Sequence, residues 1–217
     1  MIINLSERHS LISNWVSELR DANIHHDRMR FRRNLERIGE VTAYEISKEL
    51  PYKEIKVQTP LGIHSSKVLN EQPIVATILR AGLAMHQGIL NFFDKADNAF
   101  VSAYRKHSDD GSFDIVLDYV SSPSIENRIL IISDPMLATG QSLAKTIVAL
   151  EKLGMPSKIY IVAAIACTVG IEYLQKTLGE NICLWCGDID TILNDKGYII
   201  PGLGDAGDLA FGEKLQH

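Results

Sequence analysis

Cysteine is scarce in this chain of 217 residues, with three in all: Cys167, Cys183 and Cys186. That count excludes the paired framework that staples small secreted folds. Cys183-Leu-Trp-Cys186 does spell C-x-x-C. A structural zinc site, however, needs two further ligands, and neither a second pair nor an H-x₃₋₅-H run exists. A redox pair belongs at a helix N-terminus, whereas Ile-Cys-Leu-Trp-Cys reads as a strand, so both cysteines are expected to be structural. Positive charge is not in excess either. The 22 Lys and Arg stand against 27 Asp and Glu, a net charge of −5, which argues against a general nucleic-acid binder. No apolar run approaches the roughly 18 residues of a membrane span. The opening MIINLSERHSLISNW has charges scattered where a signal peptide would be apolar, so cytoplasm is the expected location. Repeats, low-complexity tracts and long linkers are absent, and the seven histidines show no ligand spacing. What remains is an ordinary globular composition, 46% hydrophobic and 23% charged. It is expected to form one domain over residues 1–217 that buries about 70–75% of its unfolded surface.

Periodicity supplies the architecture. Residues 1–50 read as mainly helical, with a basic cluster over 27–33 expected on a solvated helix face and pairing with Glu36, Glu40 and Glu45. Residues 55–59 and 62–66 alternate around Pro60, which predicts a hairpin. Strands are then expected at 73–79, 99–104, 113–119, 129–133, 159–166 and 182–186, with helices over 82–93 and from Ser142 to Leu153. Strands alternating with helices predict an α/β fold: a doubly wound, mostly parallel sheet flanked by helices, with the N-terminal helical segment and the small hairpin added. The polar stretch from Arg105 to Ser112 is either an ordinary hairpin loop or a lid carrying charge to a site.

The chemistry concentrates in ILIISDPMLATGQSLAKTI, residues 129–147. Four consecutive aliphatic residues make a buried strand. Leu143, Ile147 and Leu150 then mark one face of a helix. The loop between them sits where open α/β sheets bind ligands. Free N–H groups at the helix start, with the hydroxyls of Thr139 and Ser142, suit a phosphate. Asp134 suits sugar hydroxyls, so a phosphorylated sugar is the first expectation. Two other motifs mislead. Gly202-Leu-Gly-Asp-Ala-Gly207 is a literal G-x-G-x-x-G, but ten residues remain after it, too few for the helix and distant acid that a dinucleotide site requires. Asp188-Ile-Asp190 imitates the nucleophile segment of haloacid-dehalogenase phosphatases, whose further motifs cannot fit in the 27 residues that follow. The glycines of PGLGDAG suggest either a tight C-terminal turn or a backbone that approaches a planar ring closely.

Taken together, ILRAGL (78–83), AYR (103–105), SDPMLATGQS (133–142) and NDKGYIIPGLGDAGD (194–208), with Phe31-Arg32 and Tyr44-Glu45, resemble the uracil phosphoribosyltransferases, which are type I phosphoribosyltransferases, along nearly the whole chain. The resemblance implies transfer of phosphoribose from phosphoribosyl diphosphate (PRPP) to uracil, giving UMP and pyrophosphate in pyrimidine salvage, with Mg2+ bound mainly through PRPP and no metal held by the protein alone. It implies catalytic roles for Arg105, Asp134 and Asp205. PRPP binding falls to Arg80, Arg105, Asp134, Pro135, Met136, Leu137, Ala138, Thr139, Gly140, Gln141, Ser142 and Asp205, and uracil binding to Ile199, Gly204, Asp205 and Ala206. The expected partners are these small molecules, not nucleic acid or a membrane, and the chain is expected to form a homo-oligomer, a dimer or higher. Four places depart from the usual pattern: Gln141 and Ile192 stand where glycine is usual, Leu209 where a basic residue is, and Thr168-Val169 where Pro-Glu is. The second expectation, from another class, is a non-catalytic nucleotide-binding regulator that keeps the fold.

Overall fold

The computed structural model describes residues 1–107 and 113–215. The chain begins with a short strand β1 (Ile2–Asn4), then α1 (Leu11–Arg20) and α2 (Arg28–Ser47). A hairpin of β2 (Tyr52–Thr59) and β3 (Gly62–Leu69) follows, then β4 (Ile74–Leu79), α3 (Leu83–Leu90), β5 (Asp97–His107) and β6 (Phe113–Ser121). The second half runs β7 (Ile129–Ser133), β8 (Met136–Leu137), α4 (Gln141–Glu151), β9 (Lys158–Cys167), α5 (Thr168–Leu178) and β10 (Ile182–Asp190). It ends with β11 (Ile192–Leu193), β12 (Ile199–Ile200) and α6 (Ala206–Phe211).

The main sheet has the order β1-β10-β9-β7-β4-β5-β6, with β8 paired to β9. Every pairing in it is parallel except β5 with β6. Buried aliphatic runs explain the centre: every residue of β9 after Lys158 is buried, as a strand covered on both faces requires. Side chains alternate across the sheet. Ile131 therefore joins Leu35, Met85 and Val162 under α1, α2 and α3, while Leu130 and Ile132 join Leu143, Ile147 and Leu174 under α4 and α5. The doubly wound α/β expectation holds, with helices on both faces.

Close packing on the first face is set by two glycines. A methyl at Gly39 would strike the Met85 carbonyl, and one at Gly88 the Glu36 carbonyl, so α2 and α3 cross almost backbone to backbone. The two C-x-x-C thiols point to opposite faces, Cys183 into the first core and Cys186 into the second. Burial, reinforced by Asp188 and Glu7, pushes the Cys186 thiol up to about 12, which leaves no reactive thiolate. The basic cluster is partly as expected. Arg33 meets Glu36 and Glu40, but Glu45 pairs with Lys48 and Arg30 with Glu18 of α1.

Three differences from the sequence reading have physical causes. β1 is three residues long, below any detectable period, and exists because β10 offers it an open edge at Leu184–Cys186. The hairpin is longer than expected and nearly all of it is exposed, so its alternation reflects strand pairing and not a buried face. α6 was read as loop because Gly207 and Asp208 are poor helix formers; the Asp205 carboxylate caps it by accepting the Asp208 N–H at 3.0 Å.

Candidate active site

The chain leaves β4 outward to β5 and β6, but leaves β7 the other way, to β9 and β10. The order reverses between β4 and β7, and open parallel sheets bind ligands at the carboxyl ends of such a pair. Thr77 lies opposite Ser133 in the register, so Arg80 and Asp134 emerge side by side at that crevice. The Leu79–Arg80 peptide is cis. Gly82 holds the turn after it against the sheet, where a methyl would strike Thr77 Oγ1 and the Ser133 carbonyl.

From Asp134 onward the loop is pinned to β9. The Asp134 N–H donates to the Val162 carbonyl at 3.0 Å, and the N–H groups of Ala164 and Ile165 donate to the Pro135 carbonyl at 3.0 and 2.9 Å. Gly140 is the N-cap of α4 with φ of 78°, a left-handed angle that favours glycine. A methyl there would lie 2.8 Å from the Gly170 carbonyl oxygen and 3.1 Å from Tyr173 Cδ1. Gln141 is the first residue of the helix, and among the described residues Asn127 is the one non-glycine with positive φ. The backbone turn that only glycine favours is therefore at 140, and Gln141 needs no unusual angle. Asp134, residues 136–140, Ser142 and Leu143 line a small pocket over the helix start, with the Gln141 N–H on Thr139 Oγ1 at a long 3.4 Å. A second, more apolar groove beside β1, lined by Ile2, Leu174 and Leu184 among others, carries no acidic or basic side chain.

The C-terminal motif closes the other side. Ile199, Leu203 and Ala206 are buried in the same core as the partly buried Ala81, Met136 and Ala138. Gly202 and Gly204 have φ of 55° and 97°. A methyl added at Gly207 would lie 3.3 Å from Asp205 Oδ1 and 3.8 Å from Arg80 Nη2, so the GDAG loop faces the RAG turn. Burial opposes the charge of Asp205. Hydrogen bonds from Lys214 and from the Asp208 and Gly207 N–H groups outweigh it and hold this carboxyl below the usual range.

Of the expected residues, the structure brings together Arg80, Asp134, 135–142, Ile199, Gly204, Asp205 and Ala206. Arg80 does not line the pocket over α4; its fork bonds Asp208 at 2.9 Å and the Gly212 carbonyl at 3.2 Å. The backbone of Arg105 lies in β5 opposite Ile115; of the expected 105–112 loop or lid, residues 105–107 continue β5, and residues 108–112, like the Arg105 side chain, lie outside the described residues. Of the departures, Ile192 and Val169 are exposed, and the Thr168 hydroxyl donates to the Thr191 carbonyl at 3.4 Å. Leu209 packs partly on the core, and Lys214, 2.8 Å from Asp205, supplies positive charge beside that carboxylate. Lys214 and Arg20 (which meets Asp188 and Asp190) were not legible, because neither belongs to a motif. Among the described residues no group of three or more His, Cys, Asp or Glu converges to hold a metal ion. No helix of the described residues is long and apolar enough to cross a membrane.

A family model described as uracil phosphoribosyltransferase matches residues 6–213. A protein of that name from Porphyromonas gingivalis is 50% identical over 214 residues, covering 99% of this chain and 99% of its own. Another, from Methanothermobacter thermautotrophicus, is 37% identical over 184 residues, 84% of this chain and 83% of its own. Among solved structures, the AQ2163 protein from Aquifex aeolicus is similar over the whole of both chains, with a TM-score of 0.87 and 33% identity.

Proposed function

The chain belongs to the uracil phosphoribosyltransferase family, and on that premise we propose that it transfers phosphoribose from PRPP to uracil as one domain over 1–217. The observation that carries the reading is the pairing, at the carboxyl ends of β4 and β7, of a small pocket over a helix start with a glycine-rich loop that faces it. The backbone N–H groups from Ala138 to Ser142 and the hydroxyls of Thr139 and Ser142 hold the 5′-phosphate. Asp134 accepts the ribose hydroxyls and orients the anomeric carbon for displacement. Arg80 exchanges Asp208 for the diphosphate, Arg105 completes its binding, and Asp205 touches PRPP through its acceptor oxygens. Uracil N1 forms the new bond to the anomeric carbon and gives up its proton, which the departing pyrophosphate can accept. The bond to the diphosphate oxygen breaks with its electron pair, and pyrophosphate leaves. The charge on that leaving group would be neutralised by Mg2+ held mainly through PRPP.

Uracil presents N3–H between two carbonyls, and the backbone around Ile199, Gly204 and Ala206 reads it without a dedicated side chain. Cytosine reverses part of that pattern and would leave buried polar groups unpaired, at roughly 1–3 kcal/mol each. We place the enzyme in the cytoplasm as a homo-oligomer. The test is to incubate purified protein with labelled uracil, PRPP and magnesium. UMP is expected, with cytosine a far poorer substrate and chelation stopping the reaction; no UMP at any magnesium concentration would overturn the reading.

The regulator alternative gains nothing from Gln141, which sits in an ordinary first helical turn with its N–H only weakly engaged, by Thr139 Oγ1 at 3.4 Å. Gln141→Gly is therefore expected to change the KM for PRPP by less than about tenfold, or about 1.4 kcal/mol. Thr139→Ala, which removes a donor to the phosphate, should cost more. A hundredfold gain in PRPP use by Gln141→Gly would mean that the natural loop is impaired.

A further inference from the structure

Arg20, the last residue of α1, carries a contact that neither the fold nor the reaction chemistry above requires. Its guanidinium reaches the carboxyl end of β10, with Nη1 at 2.7 Å from Asp190 Oδ2 and Nη2 at 3.0 Å from Asp190 Oδ1. Nη2 also meets Asp188 Oδ2 at 2.9 Å. The pair is well shielded, with the Arg20 side chain 19% and that of Asp190 8% exposed. Both partners then reach the same residue of the glycine-rich loop. Arg20 Nη1 donates to the Gly202 carbonyl at 3.0 Å, and the Gly202 N–H donates to Asp190 Oδ2 at 3.0 Å. Each polar group of Gly202 is thus held by one member of an ion pair.

The third constraint is steric. Gly202 has φ of 55°, and a methyl there would run into the Ile199 carbonyl. Two residues on, Gly204 is the opposite case: the nearest atom to a methyl built on it is Leu209 Cδ1 at 3.7 Å. The loop is clamped at 202 and open at 204. We propose that Arg20, acting through Asp190 and Gly202, is a positioning residue for the base: it fixes the backbone at Ile199, Gly204 and Ala206 in the arrangement that reads uracil. This rests on the proposed function. Arg20 hydrogen-bonds Asp188, Asp190 and Gly202, none of which lines the pocket over α4. Asp205, in the same loop, is held separately by Lys214 and the Asp208 N–H, so the influence of Arg20 falls mainly on one substrate.

A merely structural ion pair would lower stability and disturb both substrates alike. The clamp makes a different demand. In Arg20→Met, which keeps the apolar stem and loses the fork, the KM for uracil should rise tenfold or more while the KM for PRPP stays within about twofold. Discrimination against cytosine should shrink. Arg20→Lys keeps the charge but cannot span both carboxylates and the Gly202 carbonyl, and should recover part of the uracil KM. Hydrogen exchange of the amides over 199–206 should speed up in Arg20→Met and not over 134–142. An unchanged uracil KM, or equal rises for uracil and PRPP, would overturn the proposal. If Arg20→Met does not fold, the same split is expected at about threefold in Arg20→Lys, and its absence there is equally decisive against the clamp. A wild-type protein that forms no UMP would instead remove the functional reading. Exchange over 199–206 would then still decide whether Arg20 holds the loop.

Discussion

Gly140→Ala is expected to leave a folded protein that uses PRPP about a hundredfold less well. The left-handed φ of 78° at this position costs an alanine roughly 1–2 kcal/mol. The added methyl would also stand 2.8 Å from the Gly170 carbonyl oxygen and 3.2 Å from Leu174 Cγ, and overpacking of that kind costs typically about 1–3 kcal/mol. The loop can escape both penalties by turning the 139–141 backbone away from α5. That movement carries the phosphate-facing N–H groups off their line, and a displacement of about 1 Å at a positioned substrate costs on the order of a hundredfold in rate. The measurement is kcat/KM for PRPP beside a thermal melt. The midpoint should fall by no more than about 20 °C, since each kcal/mol is worth about 2–4 °C in a chain of this size. A variant with wild-type kcat/KM would show that the loop does not cradle the phosphate.

Asp134→Asn is expected to lower kcat/KM for PRPP ten- to a hundredfold with the fold intact. Asparagine keeps the size and one acceptor, enough to preserve the weak 3.4 Å contact from the Met136 N–H. It loses the charge that strengthens hydrogen bonds to the ribose hydroxyls, a loss of about 1.5–3 kcal/mol. It also removes negative charge beside a sugar that turns positive as the diphosphate departs. The uracil KM should change little, because the base loop lies across the crevice. Equal losses for both substrates would point to a collapsed site instead.

Much of this was legible in the sequence where one residue type has few physical uses. Ile129–Ser133 could only be a buried strand, and Thr139-Gly140 at a helix start could hardly avoid offering N–H groups. The order reversal that puts Arg80 beside Asp134 was not legible, because strand neighbours are set by packing and not by local pattern. The Asp188-Ile-Asp190 segment shows the limit most clearly. Its resemblance to a nucleophile motif was rightly set aside on chain length. Its actual partner, Arg20, stands about 170 residues earlier, with no spacing rule to connect them.

Titration of magnesium-bound PRPP into the wild type, Asp134→Asn and Gly140→Ala proteins, with uracil omitted, tests most directly that the 134–142 loop is the phosphoribosyl cradle. One PRPP should bind per wild-type chain and be displaced by UMP, with affinity at least tenfold lower in both variants. Undiminished PRPP binding by folded Gly140→Ala and Asp134→Asn would contradict it and place the phosphoribosyl site elsewhere on the chain.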